Sequence, residues 1–192
     1  MKKKWAFTAA AGVLGGLFLA GVLEVGSSTG WFGLEELASQ GVPSWEYSYE
    51  TTWDPSQDGV EGLSIRWAVG PVSVMPGEGP LITVTEYASR PLEEGERLAL
   101  SSSGGVLEVG WNGSLLPLGA LQDLEKRVEV KVPPELLSQL EKLSCWNISG
   151  EVSVSGAFAQ ELSLGSLAGD LFLTGVSGEK AAVSTVSGDI QW

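Results

Sequence analysis

The sequence of 192 residues contains no histidine and only one cysteine, Cys145. The lack of an imidazole excludes Ser-His-Asp and Cys-His catalysis, and it excludes zinc and copper sites that need imidazole ligands. A single thiol excludes an intrachain disulfide and a CxxC redox pair. The phosphate-binding patterns GxxxxGK[ST] and GxGxxG are also missing, so nothing favours nucleotide binding. We therefore expect no cofactor.

Basic residues are few, with 11 Lys and Arg against 24 Asp and Glu, for a net charge of −13. Without the first 25 residues, which hold three lysines and one glutamate, the net charge becomes −15. Such a surface repels nucleic acid, anionic lipid headgroups and anionic wall polymers. Glycoside hydrolysis needs only two carboxylates, but Glu93, Glu94 and Glu96 cluster in a turn where a solvated loop is the simpler interpretation. A carboxylate-based glycan-active enzyme is thus a distant alternative.

The N-terminus combines a basic cluster at residues 1–4 with an uncharged apolar run at residues 5–23. As a helix, this run would be roughly 28 Å long, close to the thickness of a bilayer core. The lysines would hold the N-terminus in the cytoplasm. We expect residues 1–25 to be a transmembrane signal-anchor and residues 26–43 a juxtamembrane linker, with the rest outside the cell membrane. A cleaved signal peptide and a secreted product are the alternative.

The last fifty residues contain one 19-residue unit two and a half times, at 143–161, 162–180 and 181–192. Gly150, Gly169 and Gly188 occupy the same place in each unit. A fixed period near 20 residues is typical of a stacked-repeat fold. Each unit predicts a strand, a glycine corner, a second strand and a return loop, and such rungs stack about 4.8 Å apart.

Four apolar positions recur in every unit, and we expect them to form buried columns. They are Cys145, Ile148, Val152 and Val154, then Leu164, Leu167, Leu171 and Leu173, then Val183, Val186, Ile190 and Trp192. Three further aromatic positions have the spacing of core residues in strands or rungs: Trp45, Trp67 and Trp146. We expect Cys145 to be a small buried core residue rather than a reactive thiol.

The region before the repeats shows strand alternation without a fixed period, for example at residues 63–69, 82–87 and 128–132. Gly70 and Gly105 each begin a stretch that resembles the glycine corners. Pro133-Pro134 suits the first turn of a short helix that presents four leucines along one side: Leu136, Leu137, Leu140 and Leu143. We predict an all-β domain at residues 44–192, a short single-stranded β-solenoid (regular rungs 143–192) continuous with an irregular β-sheet.

The acidic residue after each glycine corner is the one candidate for a metal site: Glu151, Asp170 and Asp189. Equal rung positions would stack these carboxylates into a ladder, and bound Ca²⁺ would be one explanation. Two such charges about 5 Å apart in water repel each other by only about 0.8 kcal/mol. We therefore expect turn residues and no bound metal.

Phe172 and Trp192 are the candidate partner contacts. Phe172 takes the outward position that Ser153 and Gln191 fill in the other rungs, although it could instead pack under the return loops or the turn at residues 133–142. Trp192 lies in an unpaired rung, where an open strand edge invites self-association, or it covers that rung as an aromatic plug.

These features resemble the bacterial putative-adhesin β-strand-repeat family, which includes Lia-type envelope-stress proteins. The resemblance rests on Ser149-Gly150-Glu151, Ala168-Gly169-Asp170, residues 185–190 and the Val-x-Val-x-Val-Pro strand at 128–133. It implies a β-solenoid-like, extracytoplasmic domain that catalyses no reaction. We therefore expect envelope interaction, adhesion or stress sensing, with an envelope protein or a glycan as partner. A self-assembling structural envelope module is the alternative.

Overall fold

The computed structural model describes residues 45–111 and 124–192. Its strands are β1 Tyr47–Trp53, β2 Gly62–Val69, β3 Val72–Pro76, β4 Ile82–Ala88, β5 Leu98–Ser103, β6 Val106–Trp111, β7 Lys126–Val132, β8 Leu140–Ser149, β9 Val152–Ser155, β10 Phe158–Ala168, β11 Leu171–Thr174, β12 Ser177–Ser187 and β13 Ile190–Gln191. Two one-turn helices, α1 Pro55–Asp58 and α2 Pro134–Leu137, and a 3-10 turn at Glu94–Glu96 complete these elements. The predicted all-β class is confirmed. The predicted anchor and linker lie outside the described residues, within which no helix has the length and apolarity to span a bilayer.

The strands form two sheets that enclose one core. The seven-stranded sheet has the order β1-β4-β7-β3-β9-β11-β13, and the six-stranded sheet has the order β12-β10-β8-β2-β6-β5. A single buried apolar cluster takes side chains from both sheets, such as Leu63 and Leu164 from one and Val74 and Val130 from the other. Each strand thus has an inner face toward this core and an outer face.

The 19-residue units pair in register, as their period predicts. Leu162 of β10 lies opposite Leu143 of β8 and Ala181 of β12, in parallel strands. In the other sheet, Leu171 of β11 lies opposite Val152 and Ile190. Each unit therefore contributes one strand to each sheet, and equal repeat positions are neighbours in space.

Strands β2 and β3 extend this pattern into the irregular half. Leu63 lies opposite Leu143, and Val72 lies opposite Val152. Gly70 between them has φ +94° and lies against Gly150, where an added Cβ would come within 2.5 Å of the Gly70 carbonyl carbon. The predicted corner at Gly70 is confirmed.

Gly105 differs from the corner glycines, so its predicted likeness to them is wrong. It follows Gly104 in the turn between the antiparallel strands β5 and β6, and both residues have positive φ. A tight hairpin turn favours such a pair. The motif looked the same because a glycine before an alternating strand marks hairpins and corners alike.

The predicted columns are only partly correct. Cys145, Val152 and Val154 are buried, and so are their equivalents Leu164, Leu171 and Leu173. The column of Ile148, Leu167 and Val186 is instead exposed, by 45%, 46% and 75%. The reason is the spacing of three residues between Cys145 and Ile148, which places them on opposite faces of β8. In the last unit, Ile190 and Trp192 are exposed as well.

Two further expectations need correction. Trp67 is buried as predicted and Trp45 is partly buried, but Trp146 is 47% exposed and does not belong to the core. The helix predicted after Pro133 ends at Leu137, and Leu140 and Leu143 are buried residues of β8 instead. Cys145 is fully buried as expected, and burial raises the pKa of its thiol to about 12.

Candidate binding face

Polar side chains occupy the inner position next to each corner, and this fixes what faces outward. Asn147 Nδ2 donates to the carbonyl oxygens of Gly70 and Gly150, both at 3.0 Å. Thr185 Oγ1 donates to the Gly169 carbonyl at 3.0 Å. A buried carbonyl without a partner costs about 1–3 kcal/mol, so a polar residue is favoured here. The apolar residue one position later must then face outward.

As a result, the outer face of the six-stranded sheet carries a contiguous row of aliphatic side chains, which we call the aliphatic row: Ile148, Leu167 and Val186. They lie at equal repeat positions on the neighbouring strands β8, β10 and β12. Soluble proteins commonly expose single apolar side chains, whereas contiguous apolar patches mark interaction sites.

Trp146 lies in the next outward row, opposite Arg66 on one side and Gly165 on the other. A Cβ added to Gly165 would lie only 2.4 Å from two indole carbons, Cε3 and Cζ3 of Trp146. The indole therefore rests on the bare backbone of β10. Almost half of the side chain remains open to solvent.

A shallow groove of about 360 Å³ runs beside this indole, and we call it the Trp146 groove. Its lining consists of polar, basic and apolar side chains: Ser64, Arg66, Trp67, Ala68, Lys142, Ser144, Trp146 and Ile148.

Arg66 and Lys142 are distinctive because they make no ion pair or side-chain hydrogen bond with any described residue. The other described basic side chains pair with carboxylates or cover an aromatic ring: Arg90, Arg97, Lys126, Arg127, Lys131 and Lys180. Alternation along residues 142–148 could have revealed part of this face, since Lys142, Ser144, Trp146 and Ile148 alternate with buried positions.

The acidic ladder lies elsewhere, at the exposed corners. Glu151, Asp170 and Asp189 are all exposed, and Asp170 Oδ1 accepts the backbone N–H of Asp189 at 2.8 Å. Within residues 45–111 and 124–192, no three acidic or cysteine side chains come close enough together to hold a metal ion. The Asp170 contact is that of a turn residue.

The two predicted contact residues lie away from the Trp146 groove. Phe172 is half-buried on the outer face of the seven-stranded sheet, opposite Ser153 and Gln191. Trp192 is 62% exposed, and its Nε1 donates to the Val176 carbonyl at 3.1 Å. Their roles as contacts stay predictions.

The Glu93–Glu96 cluster stabilises its own turn. Glu96 accepts two hydrogen bonds from Arg90, at 2.7 and 2.8 Å, and one from the backbone of Glu93 at 2.9 Å. The Arg90 hydrogen bonds are the main cause that lowers the pKa of Glu96 to about 2. A general acid needs the opposite shift, so this carboxylate is suited to structure rather than to proton transfer.

Residues 116–192, about two fifths of the chain, match the model of the Toastrack DUF4097 family. This match includes all three repeat units and confirms the predicted resemblance to a putative-adhesin β-repeat family over that segment. No curated protein shows significant similarity to the chain.

Three solved structures are similar in fold at low sequence identity. A putative cell adhesion protein from Clostridium sporogenes has a TM-score of 0.44 at 10% identity, covering 74% of this chain and 96% of the other. A putative adhesin from Parabacteroides merdae has a TM-score of 0.30 at 11% identity, with coverages of 75% and 80%. One from Parabacteroides distasonis has a TM-score of 0.32 at 8% identity, with coverages of 75% and 67%. With TM-scores this low, these likenesses carry no functional argument.

Proposed function

We propose that this protein is a non-catalytic binding module of the bacterial cell envelope. Residues 5–23 anchor it in the cell membrane with the N-terminus in the cytoplasm, and residues 44–192 lie outside. The repeat strands form a short β-solenoid continuous with the irregular strands. The outer face of the six-stranded sheet contacts the envelope partner.

The aliphatic row is the observation that carries this proposal. Ile148, Leu167 and Val186 expose apolar surface side by side on three neighbouring strands. Burying such surface yields roughly 25 cal/mol per Å² of apolar area. The repeat places the row at a fixed spacing on a broad sheet, and this arrangement suits an extended or large partner. Adhesion, interaction and stress sensing would each begin with this contact.

A non-catalytic role follows from the chemistry of the described carboxylates. The Glu96 carboxylate is held ionised by Arg90, and the corner acids are exposed turn residues. The Cys145 thiol is buried, with a pKa near 12, and the thiolate is the nucleophilic form of cysteine.

Sedimentation with insoluble envelope material from the producing organism tests the proposal. We expect the full chain, purified in mild detergent, to bind this material, and Leu167→Glu to reduce the bound fraction at least tenfold. Phe172→Glu places the same charge on the other sheet and should leave binding within twofold. Full binding by Leu167→Glu would contradict the proposal. Loss in Phe172→Glu alone would move the contact to the seven-stranded sheet. Protease added to intact cells should digest residues 44–192, and protection of this domain would overturn its placement outside the membrane.

Self-association through the last rung is the second candidate. Among the described strands, β12 and β13 each pair on one side only, and Ile190 and Trp192 beside them are exposed. Open edges of this kind accept further strands. Concentration-dependent association in analytical ultracentrifugation that is lost in Ile190→Lys would favour this function. A monomer at every concentration would exclude it.

A further inference from the structure

We infer that the Trp146 groove binds an acidic saccharide, namely a pyranose ring that carries a carboxylate or a sulfate group. The indole of Trp146 stacks on the ring, while Arg66 and Lys142 hold the anionic substituent. This inference deepens the proposed function and rests on it, because it names the chemistry of the envelope partner.

The stacking surface is formed by Trp146 and by the absence of a side chain at Gly165. The indole lies on the backbone of β10 where a methyl group would come within 2.4 Å of two ring carbons. The ring is thus seated on the sheet while the side chain stays 47% exposed. An aromatic face is electron-rich and apolar, and it matches the C–H surface of a pyranose.

The anionic substituent is inferred from the two cations beside the indole. Arg66 is the cross-strand neighbour of Trp146 on β2, and Lys142 precedes Trp146 by four residues on β8. Both line the groove, and neither has a carboxylate partner among the described residues. A guanidinium group presents a planar fork that matches carboxylate and sulfate oxygens. The hydroxyls of Ser64 and Ser144 add donors and acceptors for sugar hydroxyls.

The acidity of the chain does not exclude such a ligand. The overall charge predicts repulsion of anionic polymers, but at physiological ionic strength the Debye length is about 8 Å. Charges that line the groove therefore dominate over distant ones. The lining holds two cations and no carboxylate. On the same face, Glu161 pairs with Lys180 at 3.1 Å, and Glu108 on β6 lies next to Ser64.

An acidic peptide fits this groove less well than a saccharide. An extended peptide usually binds a sheet by adding a strand to an open edge, where its main chain makes hydrogen bonds. Strand β8, which carries Trp146, is paired on both sides, with β2 and β10. Its main-chain groups are already used, so ring stacking and charge remain as the means of recognition.

Isothermal titration calorimetry of the full chain in mild detergent tests the inference. The three probes are oligogalacturonate, a sulfated galactan oligosaccharide and a neutral galactan oligosaccharide of equal length. We expect at least one acidic probe to bind at least tenfold more tightly than the neutral one. A preference between the two acidic probes identifies carboxylate or sulfate as the group recognised.

Matched variants assign the binding to the groove. Trp146→Ala should weaken the acidic probe at least tenfold, whereas Trp192→Ala, which also removes an exposed tryptophan, should change its Kd less than twofold. Lys142→Gln should weaken it several-fold, while Lys180→Gln on the same face should not. Gly165→Ala keeps the indole but adds a methyl group where it rests, and it should weaken binding as well.

Three results would overturn the inference: no binding of either acidic probe, equal binding of the neutral probe, or unchanged binding in Trp146→Ala. A deca-glutamate peptide that binds in a Trp146-dependent way, while the saccharides do not, would replace the saccharide by an acidic peptide. If envelope material still binds through Leu167 but no acidic saccharide binds, only this inference fails and the proposed function stands.

Discussion

The inner and outer faces of the repeat strands have opposite characters, although one 19-residue unit encodes both. Along β10, Leu162 and Leu164 are each 2% exposed, whereas Leu167 is 46% exposed. The inner face is part of a core shared with the seven-stranded sheet. The outer face holds the aliphatic row and the seat of Trp146. The comparison teaches that apolar residues in one repeat need not serve one purpose, since some stabilise the fold and others are available to a partner.

The largest expected difference between interior and surface concerns two lysines. Lys126 is fully buried, forms an ion pair with Glu86, donates from Nζ to the Glu96 carbonyl at 2.6 Å and lies over the Trp67 ring. Lys180 also pairs with a glutamate, Glu161, but its side chain is 78% exposed. Lys126→Ala should lower the free energy of unfolding by about 3–5 kcal/mol, because it leaves the Glu86 charge buried and unpaired. Lys180→Ala should cost less than about 0.5 kcal/mol.

Urea denaturation followed by tryptophan fluorescence measures both changes. As a control, the double variant Lys126→Met with Glu86→Leu removes both buried charges and should recover most of the loss. Equal small effects in Lys126→Ala and Lys180→Ala would show that the buried pair contributes no more to stability than the exposed one.

A second comparison uses two leucines of the same strand and the same substitution. Leu164→Ala should lower the free energy of unfolding by about 2–5 kcal/mol, because it leaves a cavity in the core. Leu167→Ala removes the same atoms from the outer face and should cost less than about 1 kcal/mol, since the side chain is already half in water. The same denaturation experiment gives both values. A loss at Leu167 as large as at Leu164 would mean that the outer face is covered in the folded chain.

The sequence predicted the rung pairing because a fixed period of 19 residues admits one simple register, and Leu143 and Leu162 are indeed neighbours. It misassigned Ile148 because hydrophobicity alone does not give the phase of a strand near a corner. There, Asn147 must face inward to bind the carbonyls of Gly70 and Gly150. The recurrence of Asn, Ser and Thr at this position was the signal that could have corrected the phase.

The Trp146 groove was harder to predict, since its residues come from two distant segments. Arg66 and Trp146 are 80 residues apart and meet only because β2 pairs with β8. That pairing breaks the 19-residue period, so no repeat arithmetic could find it. The role of Gly165 was hidden for another reason: it depends on where the Trp146 ring lies, which alternation does not define.

The smallest expected effect concerns the corner acids, which belong to the outer surface and should contribute nothing through metal binding. Asp170 Oδ1 already accepts the backbone N–H of Asp189 at 2.8 Å, and Glu151 and Asp189 are exposed to water. Their mutual repulsion of about 0.8 kcal/mol per neighbouring pair needs no ion to offset it. We expect millimolar Ca²⁺ to leave the melting temperature of the full chain unchanged, with Mg²⁺ at equal ionic strength as the control. A rise specific to Ca²⁺, lost in Asp170→Asn, would instead make the corners a binding surface, because a ligand that binds only the folded state must stabilise it.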